Sequence, residues 1–177
     1  MKVLEKYADI HSHDKAKALR RDTVVNIEPG EEMLVGGIYS VGIHPWSTVE
    51  PITLTLLKKL VAAVGDERVV AVGECGFDRL RGGSIEIQRS LFDFHARLAE
   101  RYNKPLIIHA VRANDELIAA IRRHRPSVEW IIHGFRGKPQ LAQQLLSEGF
   151  SLSIGKKYNR DVLEVIPANR LYRETDA

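Results

Sequence analysis

Six side chains that can bind a metal ion stand at the ends of short apolar runs in this sequence. They are His11, His13, Glu74, His109, His133 and Asp176. Imidazole nitrogens and carboxylate oxygens are typical ligands of divalent metals, which can activate water for hydrolysis. A single histidine at the end of a strand is usually structural. Its recurrence, with carboxylates, at successive strand ends favours one shared metal site.

The elements that would position these residues follow from the apolar pattern. Short continuous apolar runs predict buried parallel strands at residues 7–11, 23–27, 38–43, 69–73, 106–109, 128–133, 150–154 and 170–175. Helical spacing predicts helices at residues 51–64, 84–102, 114–124 and 139–147, and a shorter one at 159–165. This alternation indicates an α/β fold, a (β/α)8 TIM-type barrel whose active site lies at the carboxyl ends of the strands.

Two features predict that the barrel is compact or incomplete. The 177 residues fall well short of the roughly 250 that are typical of the fold. The segment 14–22 is very short for a crossover helix, and the sequence lacks a closing C-terminal helix after its last strand. We expect one domain, residues 1–177. Either a homo-oligomer covers the open flank of this domain, or the sequence is a fragment of a longer chain.

Composition narrows the class of protein. Lysine and arginine outnumber aspartate and glutamate by 26 to 23, a net charge of +3 that permits a phosphate-bearing substrate without requiring one. The single cysteine, Cys75, excludes an internal disulfide and is consistent with a reducing cytoplasm. No apolar stretch has the length of a signal peptide or a membrane span. We therefore expect a cytoplasmic protein without a membrane partner.

Short motifs recur along nearly the whole chain. They are Asp9-Ile10-His11-Ser12-His13, Gly42-Ile43-His44-Pro45-Trp46, Val72-Gly73-Glu74-Cys75-Gly76-Phe77-Asp78, the helix start from Gln88 to His95, Ile107-Ile108-His109-Ala110, Ile132-His133-Gly134-Phe135-Arg136-Gly137 and Glu174-Thr175-Asp176-Ala177. Together they resemble the TatD-related metal-dependent hydrolases, within the amidohydrolase-like barrel superfamily. TatD-like proteins usually continue past the final motif with a proline-containing loop and a last helix, neither of which is present here.

The resemblance implies a dinuclear metal site. His11, His13 and Asp176 would bind one ion, His109 and His133 the other, and Glu74 would bridge the two. It also implies hydrolysis, often of phosphodiester bonds in DNA, with Asp176 as the proton acceptor from a metal-activated water. The mixed ligand set suits two divalent ions among Zn²⁺, Mn²⁺, Co²⁺ and Mg²⁺, without selecting one.

Three further side chains are candidates for substrate binding. By likeness to the family, His44 would face the barrel mouth and donate to a scissile phosphate, or else pack against Trp46. Arg112 and Arg136 each follow a predicted ligand histidine by three residues, close enough to reach a substrate phosphate.

Other polar residues near the predicted site have structural interpretations. Asp78 and Arg79 could line the cleft or pair with each other, and the pairing is favoured. Strand alternation turns Cys75 away from the mouth, so it is interpreted as a packing residue. His95 lies on a helix, where a solvated or supporting role is expected.

Three functions compete on these observations. The leading one is a divalent-metal-dependent phosphodiesterase or deoxyribonuclease of the 3′–5′ exonuclease type, with DNA as substrate. The second keeps the metals but hydrolyses a small phosphoester, lactone or amide, which the near-neutral charge favours because nuclease grooves are usually basic. The third is a noncatalytic metal-binding relative, against which the retention of Asp176 argues.

Overall fold

The computed structural model describes residues 2–176, in which eight parallel strands form one sheet that curls into a nearly closed barrel. The strands are β1 Asp9–Ser12, β2 Thr23–Ile27, β3 Tyr39–Val41, β4 Val69–Asp78, β5 Leu106–Val111, β6 Trp130–Ile132, β7 Ser151–Ile154 and β8 Leu171–Arg173. Their order in the sheet equals their order in the chain. The first and last strands meet where the Asp176 amide donates to the His11 carbonyl at 3.0 Å. The predicted α/β barrel is confirmed. Met1 and Ala177, the last residue of the final motif, lie outside the described residues.

Helices cover only part of the barrel. The four α-helices of residues 2–176 follow β3 to β6 in turn: α1 Leu54–Val64, α2 Ile85–Tyr102, α3 Asn114–His124 and α4 Pro139–Glu148. The short connection after β1 contains a single 3₁₀ turn, Lys15–Lys17, as its length predicted. None of the described helices is long and apolar enough to cross a membrane.

Two helix predictions were wrong in detail. Helix α1 begins at Leu54 rather than Pro51, because the Thr53 hydroxyl accepts the Leu56 amide at 3.1 Å and caps the helix there. The predicted helix 159–165 is instead a 3₁₀ turn, Arg160–Glu164. This segment is too short to repay α-helix nucleation, and Pro167 disfavours helical backbone at the residue before it.

The apolar core has two layers. The inner cluster fills the barrel and contains Leu4, Ile10, Val24, Ala71, Ile107, Ile131 and Tyr172. The outer and larger cluster lies between the strands and the helices, and includes the fully buried side chains of Phe77, Phe92, Trp130 and Phe150. Because both faces of the strands are buried, the strands read as continuous apolar runs rather than as alternating ones. The interior is packed, so the open space lies at the mouth.

A bulge in β4 sets the orientation of Glu74. Residues 72–75 of β4 advance by three positions while residues 106–108 of β5 advance by two. The extra residue breaks the alternation of the strand. Consequently Glu74 faces the barrel mouth, while Val72 and Cys75, on either side of the bulge, pack outward under the helices. Gly73 permits this geometry, because its φ is +134° and a β-carbon there would lie 2.3 Å from the Ile107 carbonyl oxygen.

His95 joins helix α2 to the loop that carries His44. Its Nδ1 donates to the Leu91 carbonyl at 2.8 Å, which leaves Nε2 to accept the Ile43 amide at 2.9 Å. The ring is fully buried, so the solvated role expected for His95 is wrong. Burial lowers the pKa of His95 from 6.5 to about 4. The neutral ring therefore holds Ile43, and the His44 backbone beside it, in place.

We expect the folded chain to lose stability as the pH falls from 6.5 towards 4, with His95 contributing about 3 kcal/mol of that loss. Below pH 6.5 the unfolded chain binds a proton on His95 that the folded chain takes up only near pH 4. The free energy of unfolding from urea titrations at several pH values measures the effect. The same series on His95→Gln should be flatter by this amount. Identical pH dependence in the two proteins would contradict the assignment.

Candidate metal centre

The two oxygens of Glu74 divide the predicted histidine ligands into two pairs. Glu74 Oε2 lies 3.2 Å from His11 Nε2 and 3.2 Å from His13 Nε2. Glu74 Oε1 lies 2.8 Å from His109 Nδ1 and 2.8 Å from His133 Nε2. Strands β1, β4 and β5, and the residues directly after β1 and β6, thus bring these side chains to one point at the barrel mouth. A carboxylate between two histidine pairs has the arrangement of a bridging ligand.

Asp176 completes one of the two groups. Its Oδ1 lies 3.6 Å from His11 Nε2 and 3.7 Å from His13 Nε2. The side chain is 38% exposed, whereas that of Glu74 is 4% exposed. Asp176 therefore lies at the solvent side of the cluster and Glu74 at its floor. All six residues singled out at strand ends converge on this centre.

Two carboxylates outside the predicted ligand set support the histidines of the site from behind. Asp78 Oδ2 lies 3.1 Å from His109 Nε2, and Glu174 Oε1 lies 3.3 Å from His133 Nδ1. Each histidine therefore has one nitrogen directed at Glu74 and the other held by a carboxylate. This is the outer-shell arrangement that orients metal-bound imidazoles. The signal available in the sequence was position, because both carboxylates lie at or just beyond strand ends.

The expected pairing of Asp78 with Arg79 is wrong. Arg79 lies 2.7 Å from an Asp115 carboxylate oxygen and 3.2 Å from one of Glu116, on helix α3. Asp78 instead accepts the Trp46 indole N–H at 2.6 Å. Neighbouring side chains at the end of a strand point in opposite directions, so Asp78 faces the mouth and Arg79 faces the helices.

A cleft of about 510 Å³ opens above the cluster. His44 lines it, with Nε2 at 3.1 Å from Glu74 Oε1 and its ring packed edge-on against Trp46 at 4.7 Å, so both predicted environments of His44 occur together. Arg136 is exposed and lines a smaller adjoining cavity. Arg112 is exposed and is not among the residues that line the cleft. Substrate binding by these three residues stays a prediction.

Electrostatics keep the central carboxylate ionised. Burial alone would raise the pKa of Glu74, but the histidines around it, His133 foremost, outweigh that effect and hold its pKa far below the usual range. Burial likewise opposes a charge on His133, yet Glu74 and Glu174 raise the pKa of His133 well above its ordinary value. For His11 burial dominates, and its pKa is lowered. The floor of the site is therefore an anion surrounded by imidazoles.

The buried ring of His11 is a second indication that these residues fit a metal ion. Both ring nitrogens of His11 are buried, and Nδ1 has no hydrogen-bond partner among the described residues, while Nε2 contacts Glu74 Oε2 at 3.2 Å. A buried polar atom without a partner costs free energy that native structures rarely tolerate. Groups of three potential ligands whose donor atoms lie within 4.8 Å of one another overlap here, including His11 with His13 and Asp176, and His11 with Glu74 and His133. A divalent cation would satisfy His11 and the surrounding carboxylates together.

We expect Asp78→Asn to weaken metal affinity by about 10–100-fold, the usual cost of losing an outer-shell carboxylate. An amide in this position holds His109 less firmly and supplies no negative charge. Competition with a chelator for Zn²⁺ or Mn²⁺ measures the change. Asp93→Asn is the matched control, since Asp93 pairs with His124 Nε2 at 2.7 Å between two helices. Equal affinity losses in the two variants would show that Asp78 has no special role at the site.

Comparison with known proteins agrees with this geometry. A family model described as TatD related DNase matches residues 10–177. The chain belongs to the TatD family. Among solved structures, the TatD homologue YjjV of Escherichia coli K12 superposes with a TM-score of 0.79 and 27% identity, over 98% of this chain and 80% of YjjV. A TatD-family hydrolase of Entamoeba histolytica, 20% identical over 97% of this chain and 73% of its own, shares the fold with a TM-score of 0.74.

The alignments with sequence relatives cover a smaller share of those relatives' length. The uncharacterized metal-dependent hydrolase YjjV of Escherichia coli K12 is 33% identical over 149 residues, which are 78% of this chain and 57% of YjjV. The protein named 3′–5′ ssDNA/RNA exonuclease TatD from Pantoea sp. strain At-9b is 32% identical over 154 residues, 78% of this chain and 56% of that protein. The TatD-family chain thus spans little more than half the length of these relatives.

Proposed function

We propose that this TatD-family protein is a divalent-metal-dependent hydrolase that cleaves phosphodiester bonds in single-stranded DNA, from the 3′ end. The observation that carries the proposal is the division of four histidines between the two oxygens of a buried Glu74. Structural histidines have no reason to converge in this way on one carboxylate. The exonuclease named among the relatives supports the substrate class. Residues 1–177 would act as one such domain.

The proposed ligand sets follow the two oxygens. His11, His13 and Asp176 would hold one ion, His109 and His133 the other, and Glu74 would bridge them. Divalent ions bound there would supply a water of lowered pKa and neutralise charge on the attacked phosphate. Their identity is open among Zn²⁺, Mn²⁺, Co²⁺ and Mg²⁺.

The chain's own groups perform the proton transfer and positioning. Asp176 is the carboxylate of the set that faces solvent, so it is placed to accept the proton of the attacking water. The Nε2 proton of His44, now directed at Glu74, can turn to an oxygen of the bound phosphate. Asp78 and Glu174 keep His109 and His133 from rotating.

The experiment that tests the proposal combines metal content with substrate choice. Elemental analysis of the purified chain should find about two divalent ions, and 3′-labelled single-stranded DNA should lose its label before internal cuts occur. Hydrolysis of small chromogenic esters without any action on DNA would favour the small-substrate alternative. Metal-free protein that also refuses added Mn²⁺ and Zn²⁺ would overturn the hydrolase and leave a noncatalytic relative.

We propose further that the protein is cytoplasmic and forms a homo-oligomer. Cys75 is buried and free, as expected of a packing residue, which is consistent with a cytoplasmic protein. No α-helix follows β1, β2 or β8 among the described residues, and a homo-oligomer would pack against that flank. Size-exclusion chromatography with light scattering tests the assembly.

A further inference from the structure

A second cavity opens beside the metal centre, at the loops that follow β6 and β7. Its volume is about 200 Å³. It is lined by Gly134, Arg136, Gly155, Lys156, Lys157, Glu174, Thr175 and Asp176. Asp176 also lines the larger cleft, so the two cavities adjoin at the side chain that faces the proposed reaction.

The cations of this cavity are not engaged by the protein. Arg136, Lys156 and Lys157 are exposed, and none of them forms an ion pair or a side-chain hydrogen bond within residues 2–176. Two acids share the cavity. Glu174 is buried and already bound to the Ser153 hydroxyl and to His133, and Asp176 lies 3.6 Å from His11 Nε2 and 3.7 Å from His13 Nε2. Three positive charges therefore remain available to a ligand.

The opposite wall of the larger cleft carries negative rather than positive charge. Glu28 and Glu31 line it, and the one lysine there, Lys15, is paired with Glu31. An anionic chain that leaves the metal centre is repelled by that wall and attracted by the loops after β6 and β7. The charge distribution around the site therefore directs an anionic substrate towards the loops after β6 and β7, even though the net charge of the protein is only +3.

We propose that Arg136, Lys156 and Lys157 form a second phosphate-binding subsite, which holds the phosphate next to the one being cleaved. The inference rests on the proposed function and names its substrate more closely, as a strand with at least two phosphates rather than a lone phosphoester. Arginine and lysine contacts to backbone phosphates position a strand without reading its bases. The subsite would thus favour oligonucleotides of any sequence.

The test compares Lys156→Ala/Lys157→Ala with Lys58→Ala/Lys59→Ala, an exposed lysine pair on helix α1 whose loss changes the net charge equally. We measure kcat/KM on a single-stranded oligonucleotide and on bis(p-nitrophenyl) phosphate, a diester with one phosphate. The ratio of kcat/KM on the oligonucleotide to kcat/KM on bis(p-nitrophenyl) phosphate should fall about tenfold in the Lys156/Lys157 variant and stay constant in the control. The slope of log affinity for a labelled oligonucleotide against log salt should become shallower by about 1.4, or 0.7 per lost charge.

The outcomes separate the subsite from the proposed activity. An unchanged ratio together with an unchanged salt slope would overturn the subsite while leaving the hydrolase intact. Equal changes in both lysine-pair variants would also overturn it, because the effect would then follow from net charge alone. If the wild-type chain hydrolyses neither substrate, the proposed function fails, and oligonucleotide binding by the two variants still decides the subsite. A wild-type chain that binds no oligonucleotide overturns it.

Discussion

Glu74→Gln should reduce the metal content from about two ions per chain to one or none, and lower kcat/KM for hydrolysis about 1,000-fold, beyond the 10–100-fold cost of losing an outer-shell group. The glutamine is nearly isosteric but offers one oxygen and no charge, so it cannot serve both histidine pairs. The side chain is 4% exposed, and water cannot replace the missing oxygen without rearrangement. Elemental analysis and steady-state kinetics on the same preparation measure both effects.

Glu164→Gln is the control for the Glu74 variant, since Glu164 is an exposed carboxylate in the 3₁₀ turn after β7. It should retain wild-type metal content. A Glu74→Gln protein that still holds about two ions would show that the two ligand sets are independent and that Glu74 is not a bridge.

Asp176→Asn should separate metal binding from turnover. The amide oxygen can still face the ion, but it cannot take a proton, so we expect hydrolysis to fall about 10²–10⁴-fold, the usual contribution of a general base. The metal content should fall much less than in Glu74→Gln, because Asp176 lies at the exposed edge of the cluster and, in the proposed assignment, would bind only one of the two ions.

Parallel assays of metal content and kcat on Asp176→Asn and Asp161→Asn test this division. Asp161 is an exposed carboxylate with no role at the cleft, and its variant should behave as wild type. If Asp176→Asn kept more than about a tenth of the activity at full metal occupancy, the proton would be accepted elsewhere.

The sequence by itself determined the architecture and the chemical class of the site. Continuous apolar runs placed all eight strands, and helical spacing predicted α2 at residues 84–102, within one residue of the observed Ile85–Tyr102. The order of His11, Glu74, His109 and His133 at strand ends predicted one mouth, because parallel strands in a barrel all end at the same face. Local chemistry and topology carry that information.

Only the tertiary structure decided how the ligands are aimed and supported. Simple alternation along β4 would not turn Glu74 towards the mouth. The bulge of β4 against β5 turns it there. A bulge depends on the register between two strands, which no local sequence pattern encodes. The pairing of Asp78 with His109, rather than with its neighbour Arg79, depends on which face of the sheet each side chain meets. The availability of Lys156 and Lys157 likewise depends on how the acids of their cavity, Glu174 and Asp176, face the histidines instead, a property of three-dimensional packing rather than of sequence.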